Sequence, residues 1–129
     1  MKQDPVVYSD LMAALVAKIQ PTLDAELTNV KVGVTIPKDA TKFVQIRRDG
    51  GRAVNQIVEA AFISATIIAS NYGEAEAISR CVELAFQQAA DGNPITMVET
   101  ITAAQDISSE AGQRRFIRFE VQHRGSTYN

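Results

Sequence analysis

The stretch FVQIRRDGGRAVNQIVEAAFISATIIAS, from Phe43 to Ser70, is the part of the sequence that decides the fold. Residues Phe43 to Arg48 predict a strand, and Asp49-Gly50-Gly51 predicts a tight hairpin turn, because Asp and Gly tolerate the positive φ angles that such turns need. We expect both glycines to take positive φ. A second and longer strand is predicted from Ile57 to Ser70.

This longer predicted strand is apolar or small on both faces, which is typical of a strand that is covered on both sides. One alternating set is Val58, Ala60, Phe62, Ser64, Thr66 and Ile68, and the other is Ile57, Glu59, Ala61, Ile63, Ala65, Ile67 and Ala69. We expect helices of the same chain to cover one face. A neighbouring subunit is a candidate cover for the other.

The residues before the hairpin predict a helix and a strand. Apolar side chains recur at helical spacing after Ser9, which is a favourable N-cap residue. Pro21 is expected to end or kink this helix, because a proline ring clashes with the carbonyl group one turn earlier. Alternation of apolar and polar residues from Val30 to Ile36 predicts the first strand, which Pro37 stops.

The residues after the hairpin predict a second helix and two more strands. The predicted elements are a helix from Glu74 to Ala90 capped by Gly92, a strand from Ile95 to Ala104, a loop from Ile107 to Gly112 and a strand from Arg115 to Arg124. In the last strand Ile117, Phe119 and Val121 alternate with polar residues and are expected to point inward.

The predicted order of elements is α-β-β-β-α-β-β, within a single domain that spans residues 1–129. This order predicts an α+β fold, with a mostly antiparallel sheet of about five strands and two helices packed on one face. The strands on either side of the second helix can form a crossover if they run parallel in one sheet. Residues 1–8 and 125–129 are predicted to be a flexible N-terminal arm and C-terminal tail.

The composition argues against several classes of protein. The 129 residues carry a formal net charge of −2, which argues against a general binder of nucleic acid or membranes. The one cysteine excludes a disulfide framework, and the N-terminal residues lack the apolar core of a signal peptide. We expect a soluble protein that is made in a cytoplasm and is not exported by a cleaved signal.

Catalytic chemistry is sparse in the sequence. His123 is the only histidine and is expected to be an ordinary surface or edge residue. One chain therefore lacks the further histidine ligands that a histidine-based metal cluster needs. Cys81 lies on the apolar stripe of the second predicted helix and is expected to be a small core residue. Glu59 interrupts an apolar strand, and we expect it to pair with an arginine across the hairpin or across a subunit boundary.

Arginines are concentrated at the predicted hairpin, as Arg47, Arg48 and Arg52, with Asn55 close by in sequence. Three interpretations remain open for them: a solvated loop, a tip that contacts phosphate, or a contact surface for an acidic neighbour. The candidate interface residues are Arg47, Arg48, Asp49, Gly50, Gly51, Arg52, Asn55, Glu59, Arg115 and Arg118.

The order of elements resembles that of the tail terminator, or tail completion, proteins of long-tailed bacteriophages that infect actinobacteria. The likeness covers nearly the whole chain and is carried by three segments: IRRDGGRAVNQIVEAAFISATIIAS, YGEAEAISRCVELAFQ and RRFIRFEVQHRG. The chain departs from the family pattern at Ile68-Ala69-Ser70, where a tryptophan is often found near the end of the third strand.

The resemblance implies a virion protein without a reaction, a cofactor or a bound metal. Such proteins form a hexameric ring on the head-proximal end of the tail tube, where they end tube polymerisation and join the tail to the neck of the head. The partners implied are further copies of the chain, the tail tube protein, the neck protein and DNA that passes through the lumen without sequence-specific binding, with no membrane. The alternatives are a head-tail connector subunit, or a small oligomeric α+β enzyme with a site between subunits that uses Glu59 and the arginines.

Overall fold

The computed structural model describes residues 6–7, 10–55, 57–108 and 112–127. The elements are β1 (Val6–Val7), α1 (Leu11–Glu26), β2 (Lys31–Gly33), β3 (Phe43–Ala53), β4 (Val58–Ala69), α2 (Tyr72–Gln88), β5 (Ile95–Asp106), β6 (Gln113–Arg124) and β7 (Ser126–Thr127). The fold is α+β, as predicted, and the longer elements follow the predicted order.

A five-stranded mixed sheet in the order β2-β3-β4-β6-β5 forms the centre of the molecule. The β2–β3 pair is parallel, and the β3–β4, β4–β6 and β5–β6 pairs are antiparallel. Since β4 and β5 both run antiparallel to β6, they are parallel to each other. The chain therefore passes from β4 through α2 to a parallel strand, with β6 inserted between the two.

Both helices pack on one face of this sheet, which we call the helix face. Leu15, Ile19 and Leu23 of α1 and Ile78, Val82 and Phe86 of α2 are fully buried there, in one core with Ala61, Ile63, Ala65, Ile67, Ile117, Phe119 and Val121 of the sheet. The rings of Phe86 and Phe119 are stacked, with centroids 3.9 Å apart. The predicted inward residues of the last strand are thus confirmed.

The opposite face of the sheet, which we call the far face, is covered largely by its own side chains. On β4, Ala60, Ser64 and Ile68 point to this face and are at most 8% exposed, while Phe62 and Thr66 are half-buried. Small residues on the central strand are shielded by long side chains on the strands beside it, such as Arg47 and Arg118. A neighbouring subunit is therefore not needed to bury these three residues.

The first helix begins and ends at places the sequence did not predict. Asp10 is its N-cap, and the Asp10 side chain accepts a hydrogen bond from the backbone N–H of Ala13, whereas Ser9 lies outside the described residues. Of the two outcomes predicted for Pro21, an end or a kink, the helix does not end there but continues to Glu26. Pro21 is on the exposed side, and the burial of Ile19 and Leu23 around it offsets a proline penalty of about 3 kcal/mol.

The second helix starts earlier and stops earlier than predicted. Asn71 caps it by accepting from the N–H of Glu74, and the Glu74 carboxylate accepts from the N–H of Ser70, which is a capping-box arrangement. The C-cap is Ala89 rather than Gly92. Gly92, with φ +87°, lies in the turn beyond the helix and donates its N–H to the carbonyl of Ile95.

The hairpin between β3 and β4 turns later than predicted. Asp49, Gly50 and Gly51 lie within β3, where the register with β4 shifts between Arg48 and Gly50, and the turn falls after Ala53. A bulge and a tight turn both favour Asp and Gly, so the same residues fit either structure. The first predicted strand is also shorter than expected, because β2 stops at Gly33 and Val34 is 53% exposed.

The described parts of the predicted arm and tail pair with each other. Val6 and Val7 of β1 lie opposite Thr127 and Ser126 of β7 in a separate two-stranded antiparallel sheet. The rest of the predicted arm and of the tail, residues 1–5, 8, 128 and 129, lies outside the described residues.

Candidate interface at the arginine-rich hairpin

The arginines of the hairpin are divided between the two faces of the sheet. The register of β3 with β4 places Arg47 on the far face, opposite Ser64, and Arg48 on the helix face, opposite Ile63. The bulge between Arg48 and Gly50 then shifts the alternation by one residue, so Arg52 also lies on the far face, opposite Ala60. The sequence grouped these three arginines as one surface. The structure separates them into two clusters with different partners.

Asp49 is the centre of the far-face cluster. Its Oδ1 accepts from Nε of Arg47 at 2.9 Å and its Oδ2 accepts from Nη2 of Arg118 at 3.2 Å. The carboxylate side chain is only 13% exposed, whereas those of Arg47 and Arg118 are 72% and 42% exposed. Burial raises the pKa of Asp49, but hydrogen bonds from Ser64, Arg47 and Arg118 outweigh it and hold the pKa below its ordinary value.

Arg52 extends the same far-face cluster. Its Nη2 donates to Oε1 of Glu120 at 3.3 Å, and Glu120 lies next to Arg118 along the same face of β6. Three arginines therefore meet two carboxylates on the far face, Asp49 and Glu120. The sequence analysis missed Ser64 and Glu120, although the alternation of the last strand places Arg118 and Glu120 on one side.

Glu59 is the centre of the helix-face cluster. Its Oε1 accepts from Nη2 of Arg48 across the hairpin, so the predicted ion pair with an arginine is confirmed. The same oxygen lies 3.5 Å from Nε2 of His123, which is opposite Glu59 in the β4–β6 pairing. The hydrogen bond from Arg48 holds the pKa of Glu59 below its ordinary value.

The prediction that His123 is a surface or edge residue was wrong. The side chain is 2% exposed, because β6 lies between β4 and β5 and not at an edge of the sheet. Burial lowers the pKa of His123, and the nearby Glu59 carboxylate opposes this only in part. The imidazole is therefore kept neutral to a lower pH than in an exposed histidine.

The two glycines of the hairpin have different structural roles. Gly50 has φ +148° in the bulge, and a Cβ added there would meet nothing within 4 Å. Gly51 does not have positive φ, contrary to the prediction, but a Cβ added there would overlap the carbonyl oxygen of Ala60 and lie 2.9 Å from Nη2 of Arg48. The missing side chain at Gly51 lets the Arg48 guanidinium pass over β3 to reach Glu59.

Asn55 and Arg115 do not belong to either cluster. The Asn55 side chain accepts from the backbone N–H groups of Ile57 and Val58, both at 2.9 Å, and so holds the hairpin turn. The Arg115 side chain is 3% exposed and lies 3.2 Å from Asp106 and 3.7 Å from Glu76, on the face opposite to Arg118. Its guanidinium also lies 5.1 Å from the centre of the Tyr72 ring.

Outside the hairpin, Cys81 has the surroundings of a structural residue. Cys81 is buried on α2, as predicted, and burial raises the pKa of its thiol, which makes the thiolate less accessible. Within the described ranges, no group of three or more His, Cys, Asp or Glu side chains is arranged to hold a metal ion. In that same part of the chain, neither helix is long and apolar enough to cross a bilayer.

Comparison with known proteins does not assign this chain to a family. No protein-family model matches the chain, and no match was found among curated proteins.

Proposed function

We propose that this chain is a structural protein of a bacteriophage tail, which forms a ring on the head-proximal end of the tail tube. In this role the ring ends tube polymerisation and provides the joint to the neck of the head. The chain would act without a cofactor, by contacts with other copies, the tail tube protein and the neck protein. Its place would be in the virion, after assembly in the host cytoplasm.

The observation that carries the proposal is the far face of the sheet. It presents the exposed guanidinium groups of Arg47 and Arg52 on β3 and of Arg118 on β6, the two strands that flank β4. The less exposed carboxylates of Asp49 and Glu120 hold them in place. Both described helices lie on the other face. A sheet face whose side chains are held in place by ion pairs is suited to a protein contact, because little side-chain entropy remains to be lost on binding.

The charge of this surface is consistent with a lumen that DNA crosses without being held. Each of the three arginines in the far-face cluster, Arg47, Arg52 and Arg118, has an acidic partner, and the two carboxylates cancel two of these three charges. Affinity for nucleic acid depends on the number of phosphate charges that a protein neutralises. A nearly balanced patch would therefore permit DNA to slide past, whether the hairpin faces the lumen or the next ring.

A ring of this kind ends polymerisation by a geometric mechanism. One side of the ring matches the last layer of the tube, and the other side lacks the surface that the next tube subunit needs. The two faces of the sheet in this domain differ, because one carries helices and the other carries arginines and acids, which supports a role that needs two unlike surfaces.

Electron microscopy of the purified protein tests the proposal directly. We expect averaged images to give closed rings with sixfold symmetry, and we expect the rings to bind one end of isolated tail tubes and to stop tube growth in a mixture with free tube protein. Monomers at every soluble concentration, together with no effect on tube growth, would contradict it. Rings that bind filled heads but not headless tails would instead indicate a head-tail connector.

A further inference from the structure

The two edges of the central sheet expose different apolar surfaces. At the β2 edge, a groove of about 480 Å³ lies between the first helix and the strand. At the opposite edge, β6 is the one partner of β5 among the described strands, and the β5 side chains Met97 and Ile101 are 38% and 48% exposed. One edge therefore has an apolar recess and the other has apolar projections.

The groove arises because α1 is apolar on two adjacent sides. Leu11, Leu15, Ile19 and Leu23 point into the core, whereas the next positions around the helix are also apolar and line the groove. The lining residues are Asp10, Met12, Ala13, Val16, Ala17, Gly33 and Val34. The small residues at 13, 17 and 33 leave the recess, and the one charged lining residue, Asp10, is engaged as the helix N-cap.

The β5 edge is shaped for contact through side chains rather than for strand pairing. Its register with β6 shifts at three places, and Ile101 lies at one of these bulges, between Thr100 and Thr102, without a register partner on β6. Bulges discourage the addition of a further strand and re-aim the side chain of the extra residue. Ile101 is thus an exposed apolar side chain at an irregular part of the edge strand.

The charges at the two edges are complementary. The β5 strand carries no lysine or arginine, and of its two exposed acids Asp106 is paired with Arg115 of the same chain, which leaves Glu99 to face a second copy. The β2 strand begins with the exposed Lys31, two residues before Gly33 of the groove. An acidic strand with apolar projections fits a recess beside a lysine better than it fits another copy of itself.

From these observations we propose that the β5 edge of one copy, with Ile101 foremost, docks into the α1–β2 groove of a second copy. The two surfaces lie at opposite edges of one sheet, so the contact is head-to-tail, and a pair of copies is left with one unused groove on one copy and one unused edge on the other. Repetition of such a contact closes into a ring when the rotation between neighbours fits. This inference rests on the proposed ring function and specifies which surfaces hold the ring together.

The experiment uses two variants that each damage one of the surfaces. Ile101→Glu places a charge on the projecting edge, and Ala17→Phe fills the groove, while Leu84→Glu on α2 is a control because Leu84 is similarly exposed, at 45%. Sedimentation velocity is expected to give monomers for the first two variants and an unchanged oligomer for the control, with unchanged circular dichroism for all three.

Mixing the two variants gives the sharpest readout. Ile101→Glu retains an intact groove and Ala17→Phe retains an intact β5 edge, so an equimolar mixture is expected to form dimers but no larger species.

Ile101→Cys combined with Ala17→Cys is a second test that does not depend on breaking the contact. Mild oxidation is expected to give a ladder of disulfide-linked oligomers, which neither single variant gives, and the buried Cys81 does not contribute.

If the wild type forms rings and the Ile101→Glu and Ala17→Phe variants both still form them, this inference is overturned. The proposed ring function would not be affected by that result. The same holds for rings that yield no ladder on oxidation of the double cysteine variant. Rings that survive Ala17→Phe alone would show that the groove is not part of the contact, and this would also overturn the inference. A wild-type protein that is monomeric at every concentration would refute the proposed function itself.

Discussion

The two faces of the β3–β4 hairpin use the same kinds of residue in different ways. On the far face, a largely buried carboxylate, Asp49, is surrounded by hydrogen-bond donors and holds two exposed arginines. On the helix face, the carboxylate of Glu59 pairs with one arginine and lies beside a buried histidine. Adjacent arginines in the sequence RRDGGR therefore belong to separate clusters, and only the helix-face cluster contains a histidine, whose pKa burial lowers.

The largest difference between the faces is expected at the adjacent glycines. Gly51→Ala places a methyl group against the carbonyl of Ala60 and beside the Arg48 guanidinium, so strand β3 must shift at a cost of about 3 kcal/mol. Gly50→Ala meets no neighbouring atom and adds only the strain of its positive φ, about 1 kcal/mol. Urea denaturation of both variants measures the difference, and equal losses would contradict the close approach at Gly51.

The next largest effect is expected from acid. Because the pKa of His123 is lower in the folded protein than its ordinary value, the unfolded chain takes up a proton first as pH falls. The free energy of unfolding should therefore be highest above about pH 6.5 and fall below it, by at most about 1.4 kcal/mol per pH unit for one such group. The lowered pKa of Glu59 adds a further loss at more acidic pH.

Denaturation of the wild type and of His123→Gln at pH 7 and pH 5 tests this sign. We expect the variant to lose less stability than the wild type between the two values. Asp49→Asn is the matched control from the far face, since the lowered pKa of Asp49 places its titration below this window. A wild-type protein that is equally stable at both pH values would contradict the assigned burial of the imidazole.

The smallest effects are expected within the far-face cluster. Asp49→Asn weakens the contacts with Arg47 and Arg118 at a position that is mostly buried, and should cost about 1 kcal/mol. Arg47→Gln removes a side chain that is mainly in solvent and should cost about 0.5 kcal/mol or less. Thermal unfolding of the two variants in low salt compares them. A larger loss for Arg47→Gln would reverse the order that burial predicts.

Much of the fold follows from periodicity in the sequence. The predicted strand from Ile57 to Ser70 differs from β4 by one residue at each end, because its two alternating sets of apolar residues can only belong to an interior strand. The inward residues of β6 and the ion pair of Glu59 were also predictable, since alternation and the cost of burying an unpaired charge are local rules.

The errors arose where tertiary structure decides between equally good local choices. Asp49-Gly50-Gly51 satisfies a turn as well as a bulge, and the actual turn is held by Asn55 without a glycine. His123 was misplaced because strand order cannot be read from periodicity, and the last long strand lies inside the sheet. Arg115 and Arg118 were grouped by sequence, although their odd spacing puts them on opposite faces.

The insertion of β6 between β4 and β5 has a consequence for synthesis on the ribosome. A nascent chain that has not yet reached Gln113 can form the β3–β4 hairpin and α2, but it has nothing to bridge β4 and β5. Until β6 emerges, the backbone N–H and C=O groups on that edge of β4 have no partner strand. The apolar edge strand is then prone to associate with other unfinished chains. Translation pauses placed before this segment should therefore lower the yield of native protein more than pauses placed after it.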